Sequence, residues 1–254
     1  MTGTVYLVGA GPGAPDLITL RAARLLDSAD IVFHDALVHP DTIALAIHAE
    51  KVAVGKRCGA HSTAQRFINK RLVDAARKHA RVVRLKGGDP MLFGRAQEEI
   101  DALAAAGITY EVVPGITAAQ AASADLGVSL TRRGVSRSVA FATPRVGNDE
   151  QPSAWAASLA HADTAVLYMA SRDAMQVATT MLGLGRSPEL PVAIVESASL
   201  KSTRHFTTLG QLAQSGFAAG SGPTLLMFGE VFREALAASR LTLRTPADQA
   251  RATG

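Results

Sequence analysis

Residues 84–90 read Arg-Leu-Lys-Gly-Gly-Asp-Pro, and they close an apolar run that begins at Val82. A short apolar run that ends in glycines is typical of a buried parallel strand whose backbone approaches a ligand closely. Ligands of open α/β sheets bind at the carboxyl ends of the strands. Asp89 would therefore contact a ligand, through a ribose hydroxyl or a cation, or else cap the next helix, and we favour the ligand.

Two more loops of glycine and proline follow apolar runs elsewhere in the chain. Residues 9–14 read GAGPGA after the run Val-Tyr-Leu-Val, and residues 113–119 read VPGITAA. Because the carboxyl ends of parallel strands share one edge of a sheet, we expect the three loops to form one cleft for a small molecule.

The first of these loops raises the alternative of a nicotinamide-dependent oxidoreductase. It formally matches the GxGxxA dinucleotide fingerprint, and Asp35 follows a little over ~20 residues later. Pro12 and Pro15 argue against that alternative, because they keep the loop extended where the fingerprint begins a helix. We expect Asp16 to cap a helix that starts at Leu17 instead.

Apolar runs alternate with helical spacing along the whole chain. This alternation predicts an α/β fold of two domains with mostly parallel sheets. Glycine and paired arginines near residues 128–137 indicate the boundary. We therefore expect an N-terminal domain over residues 1–130, a C-terminal domain over 131–244 and a loose tail over 245–254.

The composition narrows the class of protein. With 48% hydrophobic and 19% charged residues, the 254-residue chain can bury a sizeable core. Aromatic residues make up 5% and the net charge of +4 comes from scattered arginines rather than a basic block, so we expect no nucleic-acid partner.

Metal, disulfide and membrane roles are also disfavoured. The single cysteine, Cys58, excludes an internal disulfide and a cysteine-rich zinc site. His34, Asp35, His39 and Asp41 match no standard zinc spacing, so we expect no metal. No apolar run reaches the ~20 residues of a membrane span, and no signal segment leads the chain, which predicts a cytoplasmic protein without a membrane partner.

The glycine loops and their flanks together resemble the tetrapyrrole methylase family. The segments that carry the resemblance are VYLVGAGPGAPDLITLRAARLLDSADIVFHDALV (5–38), VGKR (54–57), RLKGGDPMLFGR (84–95), VVPGITAA (112–119), LYMA (167–170), PVAIVE (191–196) and GPTLLMFGEV (222–231). RLKGGDP together with VVPGITA is specific for this group, whereas GAGPG alone is not. The resemblance implies two α/β domains with an active-site trough between them, and a homodimer.

The resemblance also implies S-adenosyl-L-methionine as methyl donor and assigns roles by motif. Asp35 matches a proposed proton acceptor and Lys56 a proposed proton donor, and Arg95 matches an arginine for the carboxylates of the macrocycle. The donor site would comprise Pro12, Gly87, Gly88, Asp89, Leu92, Thr117, Ala118, Met169 and Ala198. Further candidates for the substrate carboxylates are Arg132, Arg133, Arg137 and Arg145.

The implied reaction is methylation of uroporphyrinogen III at C2 and then C7, which gives precorrin-2 for sirohaem and cobalamin synthesis, with S-adenosyl-L-homocysteine as the other product. The chain has Arg132 and Arg145 where the family usually has histidines, which suits an anionic macrocycle or a sister activity on a precorrin. More distant alternatives are a methylase of RNA or protein with the same fold, and the oxidoreductase above.

Overall fold

We describe the fold from a computed structural model, which covers residues 2–54, 63–146 and 154–242. The chain divides into two compact units, Met1–Ala121 and Ala122–Gly254, and the division falls within one helix. The boundary that the sequence indicates, near residue 130, stays a prediction, and the predicted tail over 245–254 lies outside the described residues.

The first unit contains a five-stranded sheet in which all four pairings are parallel. The strands are β1 (Thr4–Gly9), β2 (Ile31–His34), β3 (Glu50–Ala53), β4 (Arg81–Lys86) and β5 (Thr109–Val113). Their order in the sheet is β3-β2-β4-β1-β5, which puts β4, the strand with the longest buried run, at the centre. Their carboxyl ends share one edge, as predicted for the glycine loops.

The helices described in this part of the chain are α1 (Leu20–Asp27), α2 (Pro40–Ala44), α3 (Thr63–Ala76), α4 (Ala96–Ala105) and α5 (Ala118–Leu126), and the two units divide within α5. The prediction that Asp16 caps α1 is wrong. Asp16 lies inside a short 3₁₀ turn, and α1 begins three residues after that turn ends. Thr19 is the cap, because its backbone is extended and its hydroxyl accepts a hydrogen bond from the N–H of Ala22 at 3.2 Å.

The sheet buries both faces in separate apolar clusters. One face packs Leu7 and Phe33 with Leu72 of α3 and Leu103 of α4. The other face packs Leu85 and its neighbours against α1. Because side chains alternate along a strand, Arg84 and Lys86 lie on the face that α3 and α4 cover.

The second unit contains a mixed sheet of order β6-β7-β10-β8-β9. Its strands are β6 (Val139–Ala142), β7 (Thr164–Tyr168), β8 (Pro191–Glu196), β9 (Thr203–Thr208) and β10 (Thr224–Gly229), and its helices are α6 (Trp155–Ala160), α7 (Ala174–Gly183), α8 (Leu209–Ser215) and α9 (Arg233–Thr242). The α/β class is confirmed, but here only β6 and β7 pair in parallel. The three other pairings are antiparallel, and the six-residue connection from β8 to β9 is too short for a parallel crossover.

Candidate active site

The loops after β1 and β4 are joined by backbone hydrogen bonds. The N–H of Gly88 donates to the carbonyl of Gly11 at 2.7 Å, and the N–H of Gly11 donates back to Gly88 at 3.3 Å. The N–H of Ala10 also donates to the carbonyl of Lys86 at 2.7 Å. Gly11 and Gly88 thus form an antiparallel bridge just beyond the parallel pairing of β1 and β4, and the two loops form one shared rim.

Glycine is required where these loops touch the loop after β5. A Cβ at Gly9 would lie 2.6 Å from the Cα of Gly115 and 2.8 Å from the carbonyl oxygen of Gly88. A Cβ at Gly115 would overlap the same oxygen. Since real Cβ atoms do not approach so closely, the three backbones pack directly on one another.

Gly88 differs from these two glycines. Its φ is +70°, and a Cβ built there would meet no atom within 4 Å. The loop thus turns a bare stretch of backbone towards open space, which is the arrangement that lets a ligand approach main-chain atoms.

Asp89 fastens the loop after β5 to the loop after β4. Its Oδ2 accepts from the N–H of Gly115 at 2.8 Å, and its Oδ1 accepts from the N–H of Met91 at 2.8 Å. The sequence left open whether Asp89 caps or contacts a ligand. Asp89 does not cap the next helix, which begins at Ala96. Its two bonds close a turn within the loop after β4 and join that loop to the loop after β5, and each carboxylate oxygen retains a further lone pair for a ligand.

Asp35 follows β2 at the same edge and is held by a buried arginine. Nη2 of Arg84 donates to Asp35 Oδ1 at 2.5 Å, and Nε of Arg84 donates to Oε1 of Glu99 at 2.9 Å. Nζ of Lys86 donates to Oε2 of Glu99 at 2.9 Å. These four residues form a charge cluster of two cations and two anions, in which only Asp35 has substantial exposure, at 29% of its side chain.

Burial and neighbouring charges act differently on the two cations of the charge cluster. Burial opposes the charge of Arg84, but the carboxylates of Asp35 and Glu99 outweigh it and raise the pKa of the guanidinium. Burial and the nearby Arg84 cation lower the pKa of the Lys86 ammonium, against the attraction of Glu99.

The remaining predicted residues of the first unit lie on the same loops. Pro12 and Leu92 are half-buried, in the loops after β1 and β4. Thr117 and Ala118, also half-buried, form the start of α5 just after the loop that follows β5. The structure therefore brings Pro12, Asp35, Gly87, Gly88, Asp89, Leu92, Thr117 and Ala118 to one edge of the sheet.

Arg95 lies at the end of the loop after β4 in an unusual backbone conformation. Its φ is +55°, and Phe93 has a φ of +54°. Non-glycine residues rarely adopt this region unless the surroundings impose it. The Arg95 guanidinium donates to both carboxylate oxygens of Glu98, at 2.6 and 2.8 Å, and its side chain is half exposed. To bind a substrate carboxylate, the guanidinium must share its hydrogen bonds with Glu98 or give them up.

Other predicted residues belong to the second unit. Met169 follows β7 with a φ of +57° and is 45% exposed. Ala198 follows β8 and is buried between Ser197 and Ser199, which also have positive φ. Met169 and Ala198 both follow strands that run in the same direction, so they share one edge of the second sheet.

The arginines predicted to bind substrate in the second unit lie at the surface. Arg132 pairs with Glu234 at 2.9 Å, and Arg133, Arg137 and Arg145 are exposed.

Lys56 and Cys58 lie outside the described residues. Within the described ranges, no three His, Cys, Asp or Glu side chains are grouped so as to hold a metal ion. No helix in these ranges is long and apolar enough to span a membrane.

The charge cluster was not predicted from the sequence. The sequence does contain a signal for it: Arg84 and Lys86 lie two residues apart, and so on the same face, in a strand whose other buried residues are apolar. Their common partner Glu99 could not be identified from spacing, since it lies on α4 beyond the whole connecting loop.

Glycine loops on the carboxyl edge of a parallel sheet, with a carboxylate beside them, define an α/β protein that binds a small molecule. The sequence model of the family Tetrapyrrole (Corrin/Porphyrin) Methylases matches residues 4–213. The chain belongs to the tetrapyrrole methylase family.

Relatives and solved structures agree with this assignment. A siroheme synthase of Psychrobacter sp. is 45% identical over 90% of this chain and 48% of its own length. A uroporphyrinogen-III C-methyltransferase of Pseudomonas aeruginosa is 43% identical over 92% of this chain and 96% of its own. The chain thus spans about half the length of the siroheme synthases that it matches.

The fold matches a solved structure of uroporphyrin-III C-methyl transferase from Thermus thermophilus in complex with S-adenyl homocysteine. The TM-score is 0.81 and the identity is 40%, over 91% of this chain and 99% of that chain. In that relative, the fold binds S-adenyl homocysteine.

Proposed function

We propose that the chain transfers methyl groups from S-adenosyl-L-methionine to C2 and then C7 of uroporphyrinogen III, giving precorrin-2. The observation that carries the proposal is the glycine-loop edge of the first sheet, in a fold whose Thermus relative is solved with S-adenyl homocysteine. The name of the Pseudomonas relative supplies the acceptor and the reaction.

The residues present fit a methyl donor. A ligand that lay against Gly88 would meet open backbone rather than side chains, and the rim through Gly11 and Gly115 is fixed by hydrogen bonds. We propose that Pro12, Gly87, Gly88, Asp89, Leu92, Thr117 and Ala118 hold the donor. Met169 and Ala198, which belong to the second unit, stay predicted donor contacts. When bound, the donor supplies an electrophilic methyl group and a thioether that leaves with the electron pair of the broken sulfur–carbon bond.

Asp35 is the residue proposed to accept or relay the proton that is lost after methyl transfer. When the nucleophilic pyrrole carbon has gained the methyl group, the ring system must lose one proton, and a carboxylate at the loop edge can accept or relay it. The rest of the rate enhancement comes from holding the pyrrole carbon, the methyl carbon and the departing sulfur in line. Lys56 remains the proposed proton donor.

The acceptor carries carboxylates, and arginine is suited to binding them through paired hydrogen bonds. We propose Arg95, Arg132 and Arg145 for this role. The proposal extends to a homodimer in the cytoplasm, with no nucleic-acid or membrane partner, in the synthesis of sirohaem or cobalamin.

The direct test is anaerobic incubation of the chain with S-adenosyl-L-methionine and uroporphyrinogen III. We expect the dipyrrocorphin absorption of precorrin-2. Methylation of a precorrin but not of uroporphyrinogen III would replace the proposal by the sister activity that Arg132 and Arg145 leave open.

Asp35→Asn tests the role of the carboxylate. The amide keeps the shape of the side chain and loses its basicity, so kcat should fall by about 10²-fold or more while the Kd for S-adenosyl-L-homocysteine is unchanged. Turnover at the wild-type rate would leave Asp35 without a part in proton transfer.

A further inference from the structure

Arg84 reaches three acceptors at once from inside the first unit. Besides Asp35 and Glu99, its Nη1 donates to the carbonyl of Leu85 at 3.2 Å. These bonds use all three nitrogens of the planar guanidinium, so they fix its orientation. A lysine could supply the charge but not the three directions.

The burial of the charge cluster is not explained by stability alone. The side chains of Arg84 and Glu99 are 3% and 0% exposed. Replacing a buried ion pair by apolar side chains of similar volume is often neutral or stabilising, and the surrounding face of the sheet is apolar. The feature that an apolar replacement would lose is the contact with Asp35, the one member of the charge cluster that reaches the surface.

Asp35 depends on Arg84 for its side-chain position. Within the part of the chain that the structure describes, Arg84 is the only side chain that donates to the Asp35 carboxylate. The bond engages Oδ1 from the buried side. The second oxygen, Oδ2, accepts no hydrogen bond from the described residues.

We infer that Arg84 is a positioning residue for the methyl-transfer reaction: it holds one oxygen of Asp35 from within the sheet and leaves the other for the proton of the bound macrocycle. Glu99 in turn orients Arg84 through its Nε, and Lys86 balances Glu99. The inference rests on the proposed function, because it assigns Arg84 through the role of Asp35.

Kinetics of Arg84→Met, Asp35→Asn and the double variant test the inference, with the methyl donor saturating. A carboxylate displaced by about 1 Å costs a rate factor of about 10²-fold at most, so we expect kcat of Arg84→Met to fall by at least tenfold with the KM for the tetrapyrrole nearly unchanged. The double variant should be no slower than Asp35→Asn, because both changes remove the same function. Losses that multiply would overturn the inference.

Arg186→Met is the matched control. Arg186 is also partly buried, and its Nη1 donates to the carbonyls of Ala160 and Ala162 in the second unit, so the same substitution lowers stability without touching Asp35. We expect kcat within about threefold of the wild type. A loss of kcat equal to that of Arg84→Met would show that the loss follows from stability alone and would overturn the inference.

Crystal structures of the wild type and of Arg84→Met give a readout that does not depend on activity. We expect the Asp35 carboxylate to move or to take several positions in the variant, and an unchanged carboxylate would overturn the inference. If the wild type fails to methylate uroporphyrinogen III, the proposed function fails while this comparison still decides the role of Arg84. If Arg84→Met does not fold, Arg84→Lys takes its place in both experiments, since it keeps the buried charge.

Discussion

At the scale of single residues, Gly88 is the most sensitive position of the proposed donor site. A valine there would project into the open space beside the loop and would also strain a backbone with φ of +70°. We expect Gly88→Val to remain folded, with a modest drop in Tm, and to lose measurable affinity for S-adenosyl-L-homocysteine in calorimetry.

Gly107→Val is the control for Gly88→Val. Gly107 has a similar φ of +67° and open space for a Cβ, but it precedes β5 and so lies at the opposite edge of the same sheet. Both variants should lose similar stability, and only Gly88→Val should lose the ligand. Unchanged affinity in folded Gly88→Val would move the donor site away from this loop.

Single residues also show where sequence reasoning reaches its limit. Gly88 and Asp89 were identified because glycines and an acid directly after an apolar run are a local signal. Arg84 was assigned only to a buried strand, because its function depends on Glu99, whose position is set by how α4 packs on the sheet. Asp16 was taken as a helix cap on residue type alone, whereas the backbone geometry makes Thr19 the cap.

At the scale of elements, Asp89 is predicted to hold two loops in register. Asn has one acceptor oxygen in place of two, so Asp89→Asn must give up the bond to Gly115 or the bond to Met91, at a cost of about 1–3 kcal/mol. We expect a lower free energy of unfolding and a weaker Kd for S-adenosyl-L-homocysteine, because the loop after β5 is no longer tied to the rim.

Asp163→Asn separates the two effects of Asp89→Asn. Asp163 accepts backbone hydrogen bonds from Arg137 and Ser138 on Oδ2, and these bonds lower the pKa of its carboxyl group, but it belongs to the second unit and precedes β7. Asp163→Asn removes the charge that these bonds stabilise, so it should lose stability and keep the ligand. Equal loss of ligand in both variants would show that Asp89 acts only through general stability.

Strand β4 carries a pH dependence through Lys86. Burial lowers the pKa of Lys86 below its ordinary 10.5. Between the lowered pKa and 10.5 the unfolded chain binds more protons than the folded one, so the contribution of Lys86 to stability rises with pH in that window. Below the window the cost of burying the charged ammonium is fully present.

Urea unfolding of the wild type and of Lys86→Met at increasing alkaline pH measures this contribution. The free energy of unfolding of the wild type should gain on that of Lys86→Met as pH rises towards 10.5. A difference that is independent of pH would show that Lys86 has an ordinary pKa in the folded protein.

Patterns also predicted the elements unevenly. Continuous apolar runs identified β1 and β4, since strands buried on both faces need them. The prediction of a mostly parallel sheet is wrong for the second unit, where three of the four pairings are antiparallel, because apolar runs mark burial and not direction. The short connection between β8 and β9 fixes their antiparallel direction, but this inference can be drawn only after both strands have been identified.

At the scale of the whole molecule, the choice between a methyl donor and a nicotinamide cofactor is testable by ligand stabilisation. A ligand at 100 times its Kd stabilises the folded state by about 2.7 kcal/mol. S-adenosyl-L-homocysteine should therefore raise Tm by about 5 °C, and NAD at the same concentration should leave it unchanged. An equal rise with NAD would favour the dinucleotide alternative that the GAGPGA loop raised.

The electrical neutrality of the charge cluster restricts how this chain can diverge. Exchange of Asp35, Arg84, Lys86 or Glu99 alone leaves an unmatched charge in a region that water barely reaches, and such intermediates are strongly destabilised. The charges stay balanced only when one cation and one anion of the charge cluster are replaced together. In a library of random variants under selection for folding, the four positions should therefore be inherited as a block, and single replacements should survive mainly at Asp35, where solvent can compensate.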